Sequence, residues 1–191
     1  MAGDLSTLPL QDLLDELASD EPAPAGGSAA AAAVAMAAAL VEMGARRSTS
    51  WEDAAGVAAQ ARSIRLRALP LVQSDADAYA ASLAALAAVD KTPGAGRDEA
   101  IASALTGAAD VALGIAQAGT DAAYLAELVA DRGEPAGRDD AQAAAILAEA
   151  GTRVAAALVT ANLMTAEGDE RESAAATCAR TAAMVRERMG E

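Results

Sequence analysis

Histidine and phenylalanine are absent from this chain of 191 residues, which also contains one cysteine and one tryptophan. The only other aromatic residues are Tyr79 and Tyr124, and Lys91 is the only lysine. Each shortage excludes something. Without histidine there is no Ser-His-Asp triad, no histidine zinc site and no Glu-x-x-His motif of a di-iron bundle. The lone Cys178 allows neither an internal disulfide nor a four-cysteine metal centre. Chemistry is left to carboxylates, arginines, Lys91, hydroxyls, amides and backbone dipoles. Cations are scarce as well: 14 basic residues stand against 28 acidic ones, for a formal net charge of -14. That balance argues against nucleic acid, whose phosphates require clustered lysine and arginine.

What the chain has is alanine, 59 residues of 191. Alanine is the best helix former and the smallest residue with a Cβ. Helices packed almost backbone to backbone are the expected outcome. The longest wholly apolar run, residues 29–41, is too short to cross a bilayer at 1.5 Å per residue. No basic segment precedes Arg46, so no leader is expected either. These features suggest a cytoplasmic protein without membrane partners.

The periodicity predicts helices only, in a single domain over 1–191. Leu10, Leu13, Leu14 and Leu17 fall at i, i+3, i+4 and i+7, giving a short amphipathic helix over about 7–19 with Thr7 as its cap. Residues 20–27 hold two prolines and two glycines and break the chain. Ser28 then reads as the N-cap of a long alanine helix to Arg47. A further helix runs from Ser50 to Leu69, and Pro70 kinks it or parts it from the segment 71–89. After a Pro/Gly loop around Lys91, helices are expected over 97–118 and 120–132, divided at Gly119. Helices over 139–163 and 170–188 complete an all-α, up-and-down bundle of six to seven helices.

The most informative stretch is Pro22-Ala-Pro-Ala-Gly-Gly-Ser28 before the alanine helix. Gly26 and Gly27 let the backbone bend and a ligand approach closely, and the helix behind them aims free N–H groups and a positive dipole end at that point. A capped loop is the plain alternative. Here the chain resembles the cyclodeaminase/cyclohydrolase family, whose motif is Pro-Gly-Gly-Gly-Ser before an alanine-rich helix ending near a methionine. The similarity continues in order along the chain. Asp75-Ala76-Asp77-Ala78-Tyr79 resembles the family's Asp-x-Asp-Ala segment, Lys91-Thr92-Pro93 with Arg97 its Pro-Lys-x-Thr loop and following arginine. Arg138-Asp139-Asp140 resembles its Arg-Ser-Asp stretch, and Ala161-Asn162-Leu163 its Asn-Leu ending.

The resemblance implies a homodimer that binds a reduced folate near the subunit interface. It also implies one of two reactions. Water opens the bridge of methenyltetrahydrofolate, or ammonia leaves formiminotetrahydrofolate as the bridge closes. Neither requires a metal or a bound cofactor beyond the tetrahydrofolate substrate. Candidate catalytic residues are Asp75, Asp140 and Lys91; candidate substrate-binding residues are Gly26, Gly27, Ser28, Arg97 and Asn162. Asp75 and Asp77 lie two apart on a helix and cannot face one site. Arg46-Arg47 and the Arg62/Arg65 face are the dense basic groups able to meet a carboxylate tail. The chain departs from the family at Ala25, Glu134 and Leu158. Two alternatives therefore stay open: an enzyme on this scaffold with a non-folate substrate, and a non-catalytic helical binding or oligomerisation module.

Overall fold

The structure, a computed structural model, describes residues 4–87, 95–163 and 168–190. Among the described residues seven α-helices follow one another: α1 (Leu10–Leu17), α2 (Gly26–Arg47), α3 (Ala54–Ala68), α4 (Leu71–Ala87), α5 (Ala95–Arg132), α6 (Arg138–Asn162) and α7 (Glu170–Gly190). No strand occurs among the described residues. Two short 3-10 turns, Leu5–Thr7 and Pro135–Gly137, precede α1 and α6.

Helices α2, α5 and α6 form the middle of the bundle, with α3, α4 and α7 packed around them. The core is alanine interleaved with valine: Ala31, Val34, Ala37, Ala38, Val41 and Ala45 on α2 are fully buried. They meet Ile115, Ala116, Ala118, Ala122, Ala123 and Ala126 on α5 and Ala144, Ala145, Ala148 and Ala155 on α6. Each methyl contributes only about 0.8 kcal/mol on burial, so cohesion is spread over many close contacts.

Several expectations are revised. Thr7 is not the cap of α1; it sits in the preceding 3-10 turn, whose cap is Asp4, and Pro9 stands at the N-cap of α1. Helix α3 starts at Ala54 rather than Ser50. Pro70 parts α3 from α4, and the chain turns within three residues. The division at Gly119 does not exist: α5 runs unbroken for 38 residues. Gly119 is there for proximity, because a Cβ would overlap the Thr152 hydroxyl and lie 3.1 Å from the Ala148 carbonyl oxygen of α6. Gly151 serves the same end on α6, where a Cβ would come within 2.7 Å of Val34 and 3.0 Å of the Ala30 carbonyl oxygen.

One charge is buried in α2. The Glu42 carboxylate, 6% exposed, accepts a hydrogen bond from Arg65 Nε at 3.0 Å and pairs with Arg46 at 2.6 Å. The expectation drawn from the longest apolar run also changes: the helices Gly26–Arg47, Gly96–Arg132 and Pro135–Asn162 are long and apolar enough by length and composition to cross a membrane. Alanine explains this, since it raises hydropathy while adding little surface.

Candidate functional site

The first turn of α2 organises the candidate site. The opening N–H groups of a helix have no partner within it, and a capping side chain normally supplies one. Here the N-cap is Ala25, which makes no side-chain cap bond. Ser28, expected as the cap, lies three residues further on, inside the first turn, and is fully buried. A carboxylate from α4 lies against this turn instead. The Asp75 carboxylate takes a hydrogen bond from Ser28 Oγ through Oδ2 at 3.0 Å, and the Ser28 backbone N–H on the same side favours its ionised form.

Gly27 makes room for this. A Cβ at Gly27 would overlap the Asp75 carboxylate, whereas nothing lies within 4 Å of a Cβ built on Gly26. The two motif glycines therefore differ in kind: Gly27 is required by contact, and Gly26 is exposed at the helix start. Asp75 is partly buried, and burial pushes its pKa above the usual aspartate range; the Ser28 donors pull the other way but are outweighed. A carboxylate so placed, with a positive helix end beneath it, accepts and returns a proton more readily than a solvated one.

The other α4 carboxylate is turned away as expected. Asp77 is exposed and accepts a bond from Gln73 Nε2 at 2.8 Å, while Gln73 Oε1 accepts the Leu5 backbone N–H at 2.9 Å. Sequence reasoning missed Gln73, which fastens the N-terminal turn one helical turn away from Asp77; nothing in its local spacing marked it. A cleft of about 460 Å³ beside α4 is lined by Asp4, Glu16, Pro24, Gln73 and Asp77 among others, but not by Asp75.

The remaining candidates are dispersed. Asp140, at the start of α6, lies 3.7 Å from Arg47 at the last turn of α2. Ser28 and Arg47 stand 19 residues apart on α2, so Asp140 is roughly 28 Å from Asp75 along the helix axis and the two carboxylates do not share a site within one chain. Arg97 pairs with its neighbour Asp98 at 2.9 Å, the local explanation for a cation at a helix start. Asn162 is the last residue of α6 and is partly buried. Lys91 lies outside the described residues. Of the departures from the family pattern, only Ala25 lies at the start of α2, two residues before Gly27. Glu134 accepts the Ser50 hydroxyl at 2.8 Å near the far end of α2, and Leu158 packs in a small cluster with Val159 and Leu163.

An all-helical bundle with a carboxylate held on the glycine-rich start of an alanine helix defines the class: a helical domain of the cyclodeaminase type. The comparisons make it particular. The chain matches the formiminotransferase-cyclodeaminase family over residues 9–183 and belongs to that family. Its fold is also that of the crystal structure of formiminotetrahydrofolate cyclodeaminase from Thermotoga maritima, with a TM-score of 0.79 over 98% of this chain and 100% of that one, at 23% identity. No curated protein matches the chain.

Proposed function

We propose that the protein is a folate-dependent one-carbon enzyme acting as a methenyltetrahydrofolate cyclohydrolase or a formiminotetrahydrofolate cyclodeaminase, in the form of a cytoplasmic homodimer. The observation that carries this reading is the Asp75 carboxylate, raised in pKa by burial and seated on Gly27 and Ser28. Family membership supplies the substrate class. Both reactions pass through a tetrahedral carbon at the bridge, formed by attack of water on the methenyl carbon in hydrolysis and, in deamination, by attack of the exocyclic nitrogen that closes the bridge, after which ammonia leaves. Each needs a group that moves a proton beside that carbon, and Asp75, whose pKa burial raises, is suited to the task. The bridge is already an activated amidinium, so positioning and proton transfer account for the chemistry.

The test is direct. Purified protein is added to methenyltetrahydrofolate and, separately, to formiminotetrahydrofolate, and the near-ultraviolet absorbance of the methenyl form is followed. Its loss identifies the hydrolase and its gain the deaminase, while rates equal to buffer with both substrates refute the proposal. A non-folate substrate is the second reading, and it is favoured by Ala25 standing at the N-cap of α2 where the family motif has glycine.

A further inference from the structure

The chain between Leu5 and Ala25 is held to the bundle at its two ends and little between them. Of these residues only Leu5 and Pro24 are buried, and α1 in the middle buries none. Both ends are fastened to α4 beside Asp75. At the first, Gln73 Oε1 accepts the Leu5 backbone N–H at 2.9 Å. At the second, Pro24 lines the same cleft as Ala76, and just beyond it Gly27 lies against the Asp75 carboxylate. Clefts undercut the segment on both sides. One of about 290 Å³ runs between Leu8 and Leu13 and Met36 of α2; one of about 460 Å³ runs between Glu16 and Pro24 and Gln73 of α4. A segment with few buried contacts and free space beneath it opens locally at low cost, as the lids of many enzymes do.

We infer that residues 5–25 form a strap closing over the start of α4 and the first turn of α2, that the Gln73 amide is its latch, and that this latch governs how long a substrate stays at the candidate site. The part concerning substrate rests on the folate reading; the latch itself does not. Gln73 is a positioning residue, because it touches the strap and not the reacting atoms. Its amide sits in one sense only. The Leu5 N–H is a donor and faces Oε1, whereas the Asp77 carboxylate is an acceptor and faces Nε2 at 2.8 Å. Glutamine supplies both groups at this length. Glutamate would keep the acceptor for Leu5 but set a carboxylate oxygen against Asp77, and leucine would supply neither. Asp77, turned away from Asp75, thereby orients the latch.

Release of the latch leaves the reacting groups in place. Ser28, Ala30 and Ala31 are buried, so the start of α2 and its contact with Asp75 stay where they are when the strap lifts. Loss of the latch shortens the stay of a bound substrate without altering the group that moves the proton. Such a change raises KM and spares kcat.

The experiment uses the full chain and reads amide hydrogen exchange and kinetics side by side. One hydrogen bond of this kind amounts to a factor of about 3 to 10. Gln73→Leu and Gln73→Glu should each speed exchange over residues 5–17 by that factor, with α2 to α7 unchanged. With the folate that the wild type turns over, each should raise KM about 3- to 10-fold and keep kcat within about twofold. Asp77→Asn added to Gln73→Glu sets an amide N–H opposite the new carboxylate and should return exchange and KM to the wild-type range, with Asp77→Asn alone as the reference. A role in stability only would speed exchange throughout the bundle and leave KM where it was, and that result overturns the proposal. Exchange over residues 5–17 unmoved by either substitution, or a double variant no better than Gln73→Glu, overturns it equally. A wild type that turns over neither folate refutes the proposed function, and the exchange rates then still decide the latch.

Discussion

Replacing Gly27 by alanine sets two effects of opposite sign against each other. Alanine is better than glycine inside a helix by about 0.5–1 kcal/mol, so propensity alone predicts a more stable protein. Contact predicts otherwise, because the new methyl occupies the place of the Asp75 carboxylate and would lie 2.7 Å even from Oδ2, the oxygen bound by Ser28. Helix α2 cannot retreat, since Ser28, Ala30 and Ala31 behind it are buried. The carboxylate must therefore swing toward solvent. It gives up a charge-assisted bond of about 1.5–3 kcal/mol, and rehydration of the released charge returns part of that. The expected stability change is small, within about 1–2 kcal/mol in either direction. The expected effect on turnover is not small: a displaced proton-transfer group forfeits about 10²- to 10⁴-fold. Gly26→Ala is the matched control, as nothing lies within 4 Å of its Cβ. It should keep activity and a melting temperature at or above wild type. Thermal melts by circular dichroism and turnover of the active folate substrate read both quantities. If Gly27→Ala turns over at the wild-type rate, Asp75 does not act from the position described here.

Three further substitutions probe the same construction. Ser28→Ala removes one donor to Asp75 and should lower stability by about 1–3 kcal/mol; it should also move the acid limb of the pH–rate profile upward, an effect that simple loss of packing would not produce. Asp75→Asn should abolish turnover and raise stability at neutral pH. Because the folded-state pKa of Asp75 is raised, its contribution to stability is fully present below the ordinary aspartate value and is lost as pH rises through the raised one. The variant's gain in melting temperature over wild type should thus be largest near pH 7 and vanish in acid; a gain independent of pH would refute the burial argument. Gly151→Ala brings a methyl within 2.7 Å of Val34 and should cost about 1–3 kcal/mol by overpacking, measured as a fall in denaturant midpoint with turnover per folded molecule retained.

The helical class was legible because alanine propensity and leucine spacing agree, and most helix ends fell within a few residues of their expected places. Gly119 misled because local reasoning treats glycine as a break, whereas here the cause is a neighbouring helix 30 residues away in sequence. Ser28 misled for a related reason. A serine beside two glycines looks like a cap, but its hydroxyl bonds Asp75, 47 residues on. The choice of Asp75 over Asp77 could be narrowed by helical spacing, since the two point apart, and only packing shows that Asp75 is the one facing Gly27. The Glu42 pair with Arg46 was within reach of sequence reasoning, as an acid and a base four apart in an apolar run. Asp140 shows the limit of the linear view: collinear motifs give the order of residues but not which end of the bundle each one occupies.

Alanine richness and the acidity of the chain act together at this site. Small side chains let α2 and α4 approach until a carboxylate can rest on a glycine, and that proximity strips water from Asp75. In a protein of net charge -14, the general field also opposes its ionisation. Only Ser28 and the positive end of α2 work in the other direction. Under the proposed function, a single aspartate held between these influences, with its pKa raised by burial, is the group through which a chain without histidine performs acid–base chemistry.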